Sequence, residues 1–474
     1  MKLVKLIILS FKAFKIENEL SISYIFGKKL KNHKYLINRE KKFEGTFFGI
    51  ISFLKMLFLN FSFHSNHKLK SKDVLIFAST SNQLESLNSI IKNIKKKKIS
   101  FELLLGIGNF NKSKKIEKIL FSPKIIIVSL ILFIKKSPIL YMSLSSQNNN
   151  ITSKKYFNLF CQVYAYIPYF LDLLHRKKIK FILVSNDHNE SNRSIRLAAE
   201  ILNIKTIYIQ HASITRHFPP LEFDYALLDG NHAKEKYITS LNTNKKNNPR
   251  VRNNTKKCKI ILSGQKKIIY SNYVFKKSNL LAGVAVNNLD EFDQVEYLLS
   301  QILKHEKKCI IRTHPSQFVL FIKKIKKLTK SNNKIVWSNP DDENILNFLS
   351  KVKYIISADS SIHLEAGLAK IPTFFYKMNK KKLLDQYAYV KNGLSFYLGR
   401  RYNLKLIDEG IKYSKSKIRQ KALKKYSATF GTDWQNKEGI LSLIILKKIL
   451  NNQSFDDLFK TESSIHFHSI RSIK

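Results

Sequence analysis

The fold is decided by two segments of the C-terminal half, CIIRTHPS at residues 309–316 and YIISADSSIHLEAG at residues 354–367. Each opens with a short apolar run that is typical of a buried strand and then stops at polar residues. In the second segment, two serines lead into apolar residues at helical spacing. A buried strand that passes through hydroxyl side chains into an amphipathic helix is the repeating unit of an open parallel sheet. The two segments therefore predict an α/β fold.

The same alternation runs along most of the chain in two series. We expect strands of the first series at Val74–Ala78, Phe101–Leu105, Ile139–Leu144, Phe181–Val184 and Thr206–Ile209. Strands of the second series are expected at Lys259–Leu262, Leu281–Val286, Cys309–Arg312, Lys334–Trp337, Tyr354–Ser357 and Thr373–Tyr376. Helical patterns lie between them, so the sequence predicts two Rossmann-like domains that face a central cleft.

Composition suggests where the domains end. Residues 241–257, LNTNKKNNPRVRNNTKK, offer almost nothing to bury and are expected to form a linker. We assign residues 72–240 to the first Rossmann-like domain and residues 258–405 to the second. Residues 1–71 are expected to be an N-terminal extension, helical or part of the first domain, and residues 406–474 a helical tail.

The charge of the chain is extreme, with 84 Lys and Arg against 34 Asp and Glu and a formal net charge of +50. Three explanations stay open: nucleic-acid binding, attraction to an anionic membrane surface, and a compositional bias that raises Lys, Asn and Ile together. The basic residues are spread through the chain, and no segment interleaves them with a pattern of aromatic residues. No zinc-finger or RNA-module signature occurs either. Nucleic acid is therefore not the partner we expect.

The chain carries no disulfide framework and no metal quartet, because Cys161, Cys258 and Cys309 are distant from one another and odd in number. That usage fits a reducing cytoplasm, and no secretory signal stands out. The apolar run Ile125–Ile134 has about half the length of a membrane span. Phe43–Phe63 is longer and aromatic, and two interpretations apply to it: a core helix of the first domain, or a helix that lies in a membrane interface.

Ligands of open α/β sheets bind beyond the carboxyl ends of the strands, so the residues that follow each strand are the candidate site. His314 and Pro315 follow the strand at 309–312. Proline holds the preceding residue in an extended conformation, which fixes His314 where the strand ends. An imidazole there can donate a hydrogen bond to a phosphate, and Arg312 can assist if it faces the cleft. A surface turn with an incidental histidine is the alternative.

Ser360 and Ser361 follow the next strand of this type. Their hydroxyls, together with the free backbone N–H groups of a helix start, can bind an anion. Glu365, one turn into the helix, could reach the hydroxyls of a ribose. Simple helix capping by Ser360 is the alternative, and capping is compatible with phosphate binding.

Two carboxylates, Asp187 and Glu190, follow the first-series strand Phe181–Val184. Either could act as a general base towards an acceptor hydroxyl, or could instead cap the next helix. The following strand leads into His211 and Ser213, which we expect to contact substrate at the same edge of the cleft.

Glycine-rich GxGxxG and P-loop patterns do not follow any of the strands, which argues against dinucleotide oxidoreductases and ATPases. No cluster of His, Asp and Glu has the spacing of metal ligands. We therefore expect neither a cofactor nor a metal.

His314-Pro315 and Ser360-Ser361 match, in type, order and strand context, two motifs of bacterial GT-B transferases of surface-polysaccharide synthesis. The chain thus resembles the sialyl- and polysialyltransferases, which use a His-Pro motif and a later serine-rich motif. It also resembles the CDP-glycerol glycerophosphotransferases, which share a His-Pro and a serine pair before an acidic helix.

The acidic motif of the sialyltransferases, two acids and then glycine, is absent in strict form. Asn186-Asp187-His188 and Asp229-Gly230 are its partial counterparts. Gln210-His211 is similar to an element of capsule enzymes and of the UDP-GlcNAc 2-epimerase fold.

The resemblance implies a metal-independent glycosyltransferase that moves a sugar from a nucleotide-sugar donor to a glycan or lipid-linked acceptor of capsule or lipopolysaccharide. It implies that residues 72–240 hold the acceptor and that residues 258–405 hold the donor. His314 would act on the donor's phosphate, and Ser360 and Ser361 would bind that phosphate. The implied location is cytoplasmic and peripheral at the inner membrane. A CDP-polyol phosphotransferase, a UDP-GlcNAc 2-epimerase-like enzyme and a non-catalytic polyanion-binding protein remain as alternatives.

Overall fold

The computed structural model describes residues 1–23, 46–63, 73–96, 99–107, 117–145, 150–215, 218–247, 258–266, 280–315, 317–380, 385–464 and 467–473. They fold into two α/β domains, each built on one sheet. The first sheet has nine strands and the second has six.

The first sheet combines seven parallel strands with a hairpin from the end of the chain. Its strands are β1 (Val74–Ala78), β2 (Phe101–Leu105), β3 (Glu117–Lys118), β4 (Phe181–Val184), β5 (Lys205–Ile209), β6 (Tyr225–Leu228), β7 (Lys259–Leu262), β14 (Phe459–Ser464) and β15 (Phe467–Ile473). They lie in the order β14-β15-β7-β6-β5-β4-β1-β2-β3, and only β14 and β15 pair antiparallel. The chain reverses its winding between β1 and β4, as in a Rossmann sheet.

Nine helices of the described chain belong with this sheet. They are α1 (Leu3–Ile16), α2 (Glu19–Ile22), α3 (Thr46–Leu59), α4 (Ser81–Lys96), α5 (Pro123–Ser145), α6 (Asn150–Lys177), α7 (Glu190–Ile201), α8 (Asn231–Asn247) and α15 (Glu438–Leu450). Helix α6 lies at the centre of the helical layer and packs against α1, α3, α5 and α7. Its tyrosine Tyr164 is fully buried and lies against Phe14 of α1 and Phe53 of α3.

The second sheet is wholly parallel. Its strands are β8 (Leu281–Ala285), β9 (Cys309–Arg312), β10 (Ile335–Ser338), β11 (Val352–Ser357), β12 (Thr373–Tyr376) and β13 (Phe396–Gly399), in the order β10-β9-β8-β11-β12-β13. The accompanying helices are α9 (Phe292–Leu303), α10 (Val319–Ser331), α11 (Ile345–Leu349), α12 (Ile362–Leu368), α13 (Leu404–Tyr413) and α14 (Lys417–Tyr426). The winding reverses between β8 and β11. The predicted α/β class, with two Rossmann-like domains and extra helices at both ends of the chain, is confirmed.

Four expectations about individual segments were wrong. Lys259–Leu262 was placed in the second series, but it lies in the first sheet, where it pairs in parallel with β6 and β15. The expected linker 241–257 begins inside α8, which continues to Asn247, and residues 248–257 lie outside the described chain. The polar composition of residues 241–257 did not mark the domain boundary, because the chain enters the second domain only after β7.

The run Ile139–Leu144, expected as a strand, is the end of helix α5, which also contains Ile125–Ile134. For a short apolar run, periodicity alone cannot distinguish a strand from a segment of buried helix. The tail is not all helical. After α15 it forms β14 and β15, which extend the first sheet.

A buried carboxylate links two helices of the first domain. Asp172 of α6 is 2% exposed and accepts hydrogen bonds from Lys124 of α5 at 2.7 Å and from Arg176 at 2.8 Å. Burial alone would raise the pKa of Asp172, but these two cations outweigh burial and hold the pKa below its ordinary value. The carboxylate therefore contributes stability above its unfolded pKa, and this stability is lost as pH falls through the lowered folded pKa.

We expect Asp172→Asn to lower the free energy of unfolding by about 1–3 kcal/mol at neutral pH, because it leaves two cations without their carboxylate. The deficit should shrink as the pH is lowered below about 4, where the parent also loses the charge. Denaturant unfolding at several pH values measures both effects. The matched control is Asp73→Asn, since Asp73 pairs with Lys180 at 2.9 Å on the surface and should cost at most about 1 kcal/mol. An Asp172→Asn protein as stable as its parent at neutral pH would contradict the assignment.

Candidate active site

The two reversals of winding create a crevice at the carboxyl end of each sheet, between β1 and β4 and between β8 and β11. The two crevices belong to one cleft. Ser213, after β5, and Tyr389 of the second domain share a hydrogen bond of 2.5 Å between their hydroxyls. The charge of Glu85 on α4 also acts on Arg312 at the end of β9.

The domains also meet beyond the end of β6. The backbone N–H of Ala428 donates to the carbonyl of Asp229, at the end of β6, at 2.7 Å. A Cβ on the neighbouring Gly230 would lie 2.6 Å from the carbonyl oxygen of Lys425. Only glycine allows helix α14 to approach the first sheet this closely.

The crevice of the first domain is held by amide side chains. Asn189 caps α7 by accepting from the backbone N–H of Asn192. Both asparagines donate to the Ser79 hydroxyl after β1, at 2.6 Å and 2.9 Å. This network fixes the loop after β4 against the loop after β1, and so fixes the residues between them.

Asp187 and His188 form a carboxylate–imidazole pair in that loop. The Nδ1–H of His188 donates to Asp187 Oδ1 at 2.9 Å, and the Tyr237 hydroxyl donates to Oδ2 at 2.6 Å. Asp187 is 1% exposed, with both oxygens engaged, whereas the His188 side chain is 17% exposed. The side-chain amide nitrogen of Asn186 lies 3.3 Å from His188 Nε2, within reach of a hydrogen bond. Of the two groups, the imidazole is therefore the more accessible at this strand end.

Glu190, the other acid considered as a base, begins α7 and is half-buried. Its charge adds to the rise that burial causes in the pKa of Tyr166 on α6. The carboxylate thus acts towards the helical layer. Its place in the first turn of α7 also favours a negative charge there.

His211 packs against the Asp187–His188 pair, whereas Ser213 contacts the second domain. The rings of His211 and His188 are stacked, with centroids 5.8 Å apart. Ser213 is buried, and its hydroxyl contacts Tyr389, so it bridges the domains. Contact of Ser213 with a substrate stays a prediction that this bridge does not favour.

In the second domain, the loops after β8, β9 and β11 are linked by hydrogen bonds. The Gln317 backbone N–H donates to the carbonyl of His314 at 2.9 Å, and the Gln317 amide donates to the carbonyl of Asn287 at 3.2 Å. The Asn287 side chain in turn donates to the carbonyl of Asp359 at 3.2 Å. Strand β8 separates β9 from β11, so the two strand ends lie roughly 10 Å apart. His314 and Ser360 therefore lie at the same edge of the sheet.

The serine pair lies at this edge, in a loop supported from inside the domain. Ser360 and Ser361 are half-buried, and the Ser360 hydroxyl lies 3.4 Å from the backbone N–H of Ile362. The fully buried His363 lies below them, and its Nε2 contacts the carbonyl of Ala358 at 2.8 Å. Burial lowers the pKa of His363 to about 4, so it is a neutral structural histidine.

The remaining predicted residues are divided between core and surface. Arg312 is buried, donates to the Ser338 hydroxyl at 2.8 Å and lies over the ring of Phe348, which holds its guanidinium near β10. Glu365 is buried in α12, and its charge acts on Arg312. Pro315 is exposed beside the half-buried His314. Arg312 therefore has mainly a structural role at this edge of the second sheet.

Sequence reasoning missed His188 as the more accessible member of this pair. Its signal was present, because an imidazole directly after an acid at a strand end can be oriented by that acid. Among the described residues, no group of three or more His, Cys, Asp or Glu could hold a metal ion.

Comparison with known proteins gives similarity of fold at low identity. No family model and no curated protein matches the chain. A putative UDP-N-acetylglucosamine 2-epimerase from Listeria monocytogenes is 11% identical, with 81% of this chain and 98% of that chain covered and a TM-score of 0.48. UDP-GlcNAc 2-epimerase from Methanocaldococcus jannaschii, in complex with UDP-GlcNAc and UDP, is 16% identical over 79% and 99% of the chains, with a TM-score of 0.46. The glycotransferase of kitacinnamycin is 7% identical over 81% and 100%, with a TM-score of 0.46.

Burial raises the pKa of two carboxyl groups at the crevice of the second domain. Burial raises the pKa of Asp290 to about 8, against a backbone hydrogen bond from Asn287, and the charge of Asp359 reinforces the rise. Burial also raises the pKa of Asp359 to about 7. A carboxyl group with a raised folded pKa destabilises the fold progressively as pH rises from its unfolded pKa to its folded pKa.

We expect Asp290→Asn to gain stability relative to the parent between pH 5 and pH 8, by at least about 1 kcal/mol over that interval, because the amide cannot ionise. Thermal or denaturant unfolding at both pH values measures this difference. Glu296→Gln, an exposed acid on α9, is the control and should change stability equally at both. A constant offset between Asp290→Asn and its parent would contradict the role of burial.

Proposed function

We propose that the protein is a glycosyltransferase that moves a sugar from a nucleotide-sugar donor to a hydroxyl of a capsule or lipopolysaccharide acceptor in the cytoplasm. The observation that carries this proposal is the pairing of two edges across one cleft. One edge presents the imidazole of His188, oriented by Asp187. The other presents His314 with Ser360 and Ser361.

The first edge suits deprotonation of the acceptor. A hydroxyl that reaches His188 Nε2 would replace the 3.3 Å contact with Asn186 and give its proton to the imidazole. Asp187 keeps Nδ1 protonated and stabilises the imidazolium that forms. Tyr237 holds the second carboxylate oxygen, so the acid cannot turn away. Asp187 is therefore a positioning residue, and His188 takes the role of base that was predicted for Asp187 or Glu190.

The second edge suits the departing nucleotide. As the bond from the sugar to the phosphate breaks, negative charge develops on the phosphate oxygens. His314 and the two serine hydroxyls can donate hydrogen bonds to those oxygens. Strand β8 lies between β9 and β11, so a phosphate that contacts both groups of donors would lie beyond the end of β8. The nucleotide-sugar is a substrate of the proposed reaction. Acceptor deprotonation and nucleotide departure, as described, use side chains of the protein and the two substrates.

We expect His314→Ala to lower nucleotide release at least about 100-fold, because a donor to the developing charge is lost. The assay supplies CMP-, UDP-, GDP- and CDP-linked donors with an envelope lipid extract as acceptor, and it measures free nucleotide and glycosylated product. His305→Ala, an exposed histidine of the same domain, is the control and should retain full activity. Undiminished activity in His314→Ala would remove the assigned role.

The same panel separates the other activities. Consumption of CDP-glycerol, and of no sugar nucleotide, would identify a polyol-phosphate transferase. Conversion of UDP-GlcNAc without any acceptor would identify a 2-epimerase. Salt-dependent DNA or RNA binding with no turnover would identify a polyanion-binding protein.

We expect His188→Ala to lower kcat by about 10²–10⁴-fold while donor affinity, measured by calorimetry, stays within about twofold, because a base acts on the acceptor and not on the donor. Asp187→Asn should lower kcat less and should preserve donor affinity as well. His175→Ala, an exposed histidine at the end of α6, is the matched control in this domain. Loss of donor affinity in His188→Ala, with kcat unchanged, would contradict the division of roles between the edges.

A further inference from the structure

Three helices of the first domain carry apolar residues on their outward faces. Val4 of α1 is 68% exposed, Phe58 of α3 is 62% exposed and Ile134 of α5 is 67% exposed. Each has exposed apolar neighbours at helical spacing. They include Leu3, Ile8, Phe47, Phe48, Ile51, Leu59, Ile127, Ile139, Tyr141 and Met142. Isolated apolar residues are common on protein surfaces, but a continuous patch indicates a binding partner.

The three helices form one surface, here called the apolar face and defined by the exposed residues of α1, α3 and α5. The rings of Phe53 on α3 and Phe133 on α5 are stacked, with centroids 5.1 Å apart. The ammonium of Lys136 on α5 lies 5.7 Å from the ring centroid of Phe14 on α1. Helix α5 therefore lies against both other helices.

The inward sides of these helices already have partners. Leu6, Phe53 and Val128 are fully buried, and they point to the layer that α6 occupies. Helix α5 is long and apolar enough to cross a membrane by length and composition, but 39% of its most apolar window is buried inside the protein. Helices packed on one side and apolar on the other are suited to lying along an interface.

The charges of this surface have one sign. Helices α1, α3 and α5 contain no Asp or Glu. Their exposed charged residues are lysines, among them Lys5, Lys12, Lys55 and Lys135. The whole chain carries +50. An anionic lipid surface is complementary to such a face, whereas a second copy of the chain would bring the same lysines and the same charge.

We propose that the apolar face docks on an anionic lipid bilayer, with α1, α3 and α5 lying in the headgroup region. The exposed Phe, Ile, Leu and Val side chains enter the acyl boundary, and the lysines contact lipid phosphates at the rim. The occupant is a bilayer surface, and the protein rests on it without crossing it. This proposal is independent of the enzymatic one, because the apolar face lies on the helical layer and the cleft lies at the strand ends.

The test is flotation of the full chain with vesicles of neutral phosphatidylcholine or of phosphatidylcholine mixed with anionic phosphatidylglycerol. The variant Val4→Glu, Phe58→Glu, Ile134→Glu changes one exposed residue on each helix. The control, Tyr297→Glu, Leu404→Glu, Ile418→Glu, places three glutamates at exposed apolar positions of the second domain and has the same net charge. Circular dichroism and thermal unfolding confirm that both variants fold.

The parent and the control should float with anionic vesicles, and the apolar-face variant should lose at least about tenfold in partitioning. Binding should weaken at high salt, and it should be weaker to neutral vesicles. Equal partitioning of both variants would overturn the proposal, because only net charge would then matter. A parent that does not float, and that forms a dimer which the apolar-face variant dissociates, would also overturn it and would assign the face to a second copy.

Discussion

Parallel pairing of β1 with β4 and of β8 with β11 is the constraint on which the site depends. A parallel sheet whose winding reverses at one pair of strands leaves a crevice beyond their carboxyl ends, because the two connections run to opposite faces. Both domains contain such a reversal, and the contact of Ser213 with Tyr389 brings the two crevices into one cleft. Every candidate group takes its position from the strand end that precedes it.

At the strand ends, the extent of burial decides which polar side chains are accessible to react. Asp187 is enclosed and both of its carboxylate oxygens accept hydrogen bonds, so it orients a neighbour, and that neighbour, His188, is the more accessible group. Arg312 is similarly held by Ser338 and Phe348, although its place at a strand end suggested a ligand. The chemistry of the site therefore comes from residues one or two positions away from the most buried polar groups.

Much of the fold could be predicted from the sequence. Strands such as β4 and β11 are short apolar runs that end in polar residues, and the local pattern is enough to place them. The local pattern failed where the assignment of a segment depends on residues that are distant in the sequence. Strand β7 has the composition of any buried strand, and only its pairing with β6 assigns it to the first domain. The end of α5 and the hairpin of β14 and β15 were missed for the same reason, since long-range packing overrides local periodicity.

The site was predictable as a set of strand ends but not as a geometry. The sequence identified His314, Ser360 and Ser361 together, and the linked loops of β8, β9 and β11 place them at one edge. It could not show which of Asp187, His188 and Glu190 faces the cleft, because that choice depends on Tyr237 and on the helical layer below α7. The helical layer also separates two surfaces of the first domain. Its outer face is apolar and basic, whereas the strand ends are polar.

The most direct test of this account is a crystal structure of the chain with the nucleotide donor that it consumes. The account predicts the donor's phosphate in the cleft, within about 3 Å of the His314 imidazole and of the Ser360 or Ser361 hydroxyl, with His188 on the opposite side. A nucleotide bound elsewhere, or a phosphate held in the cleft while His314 points away from it, would contradict the account.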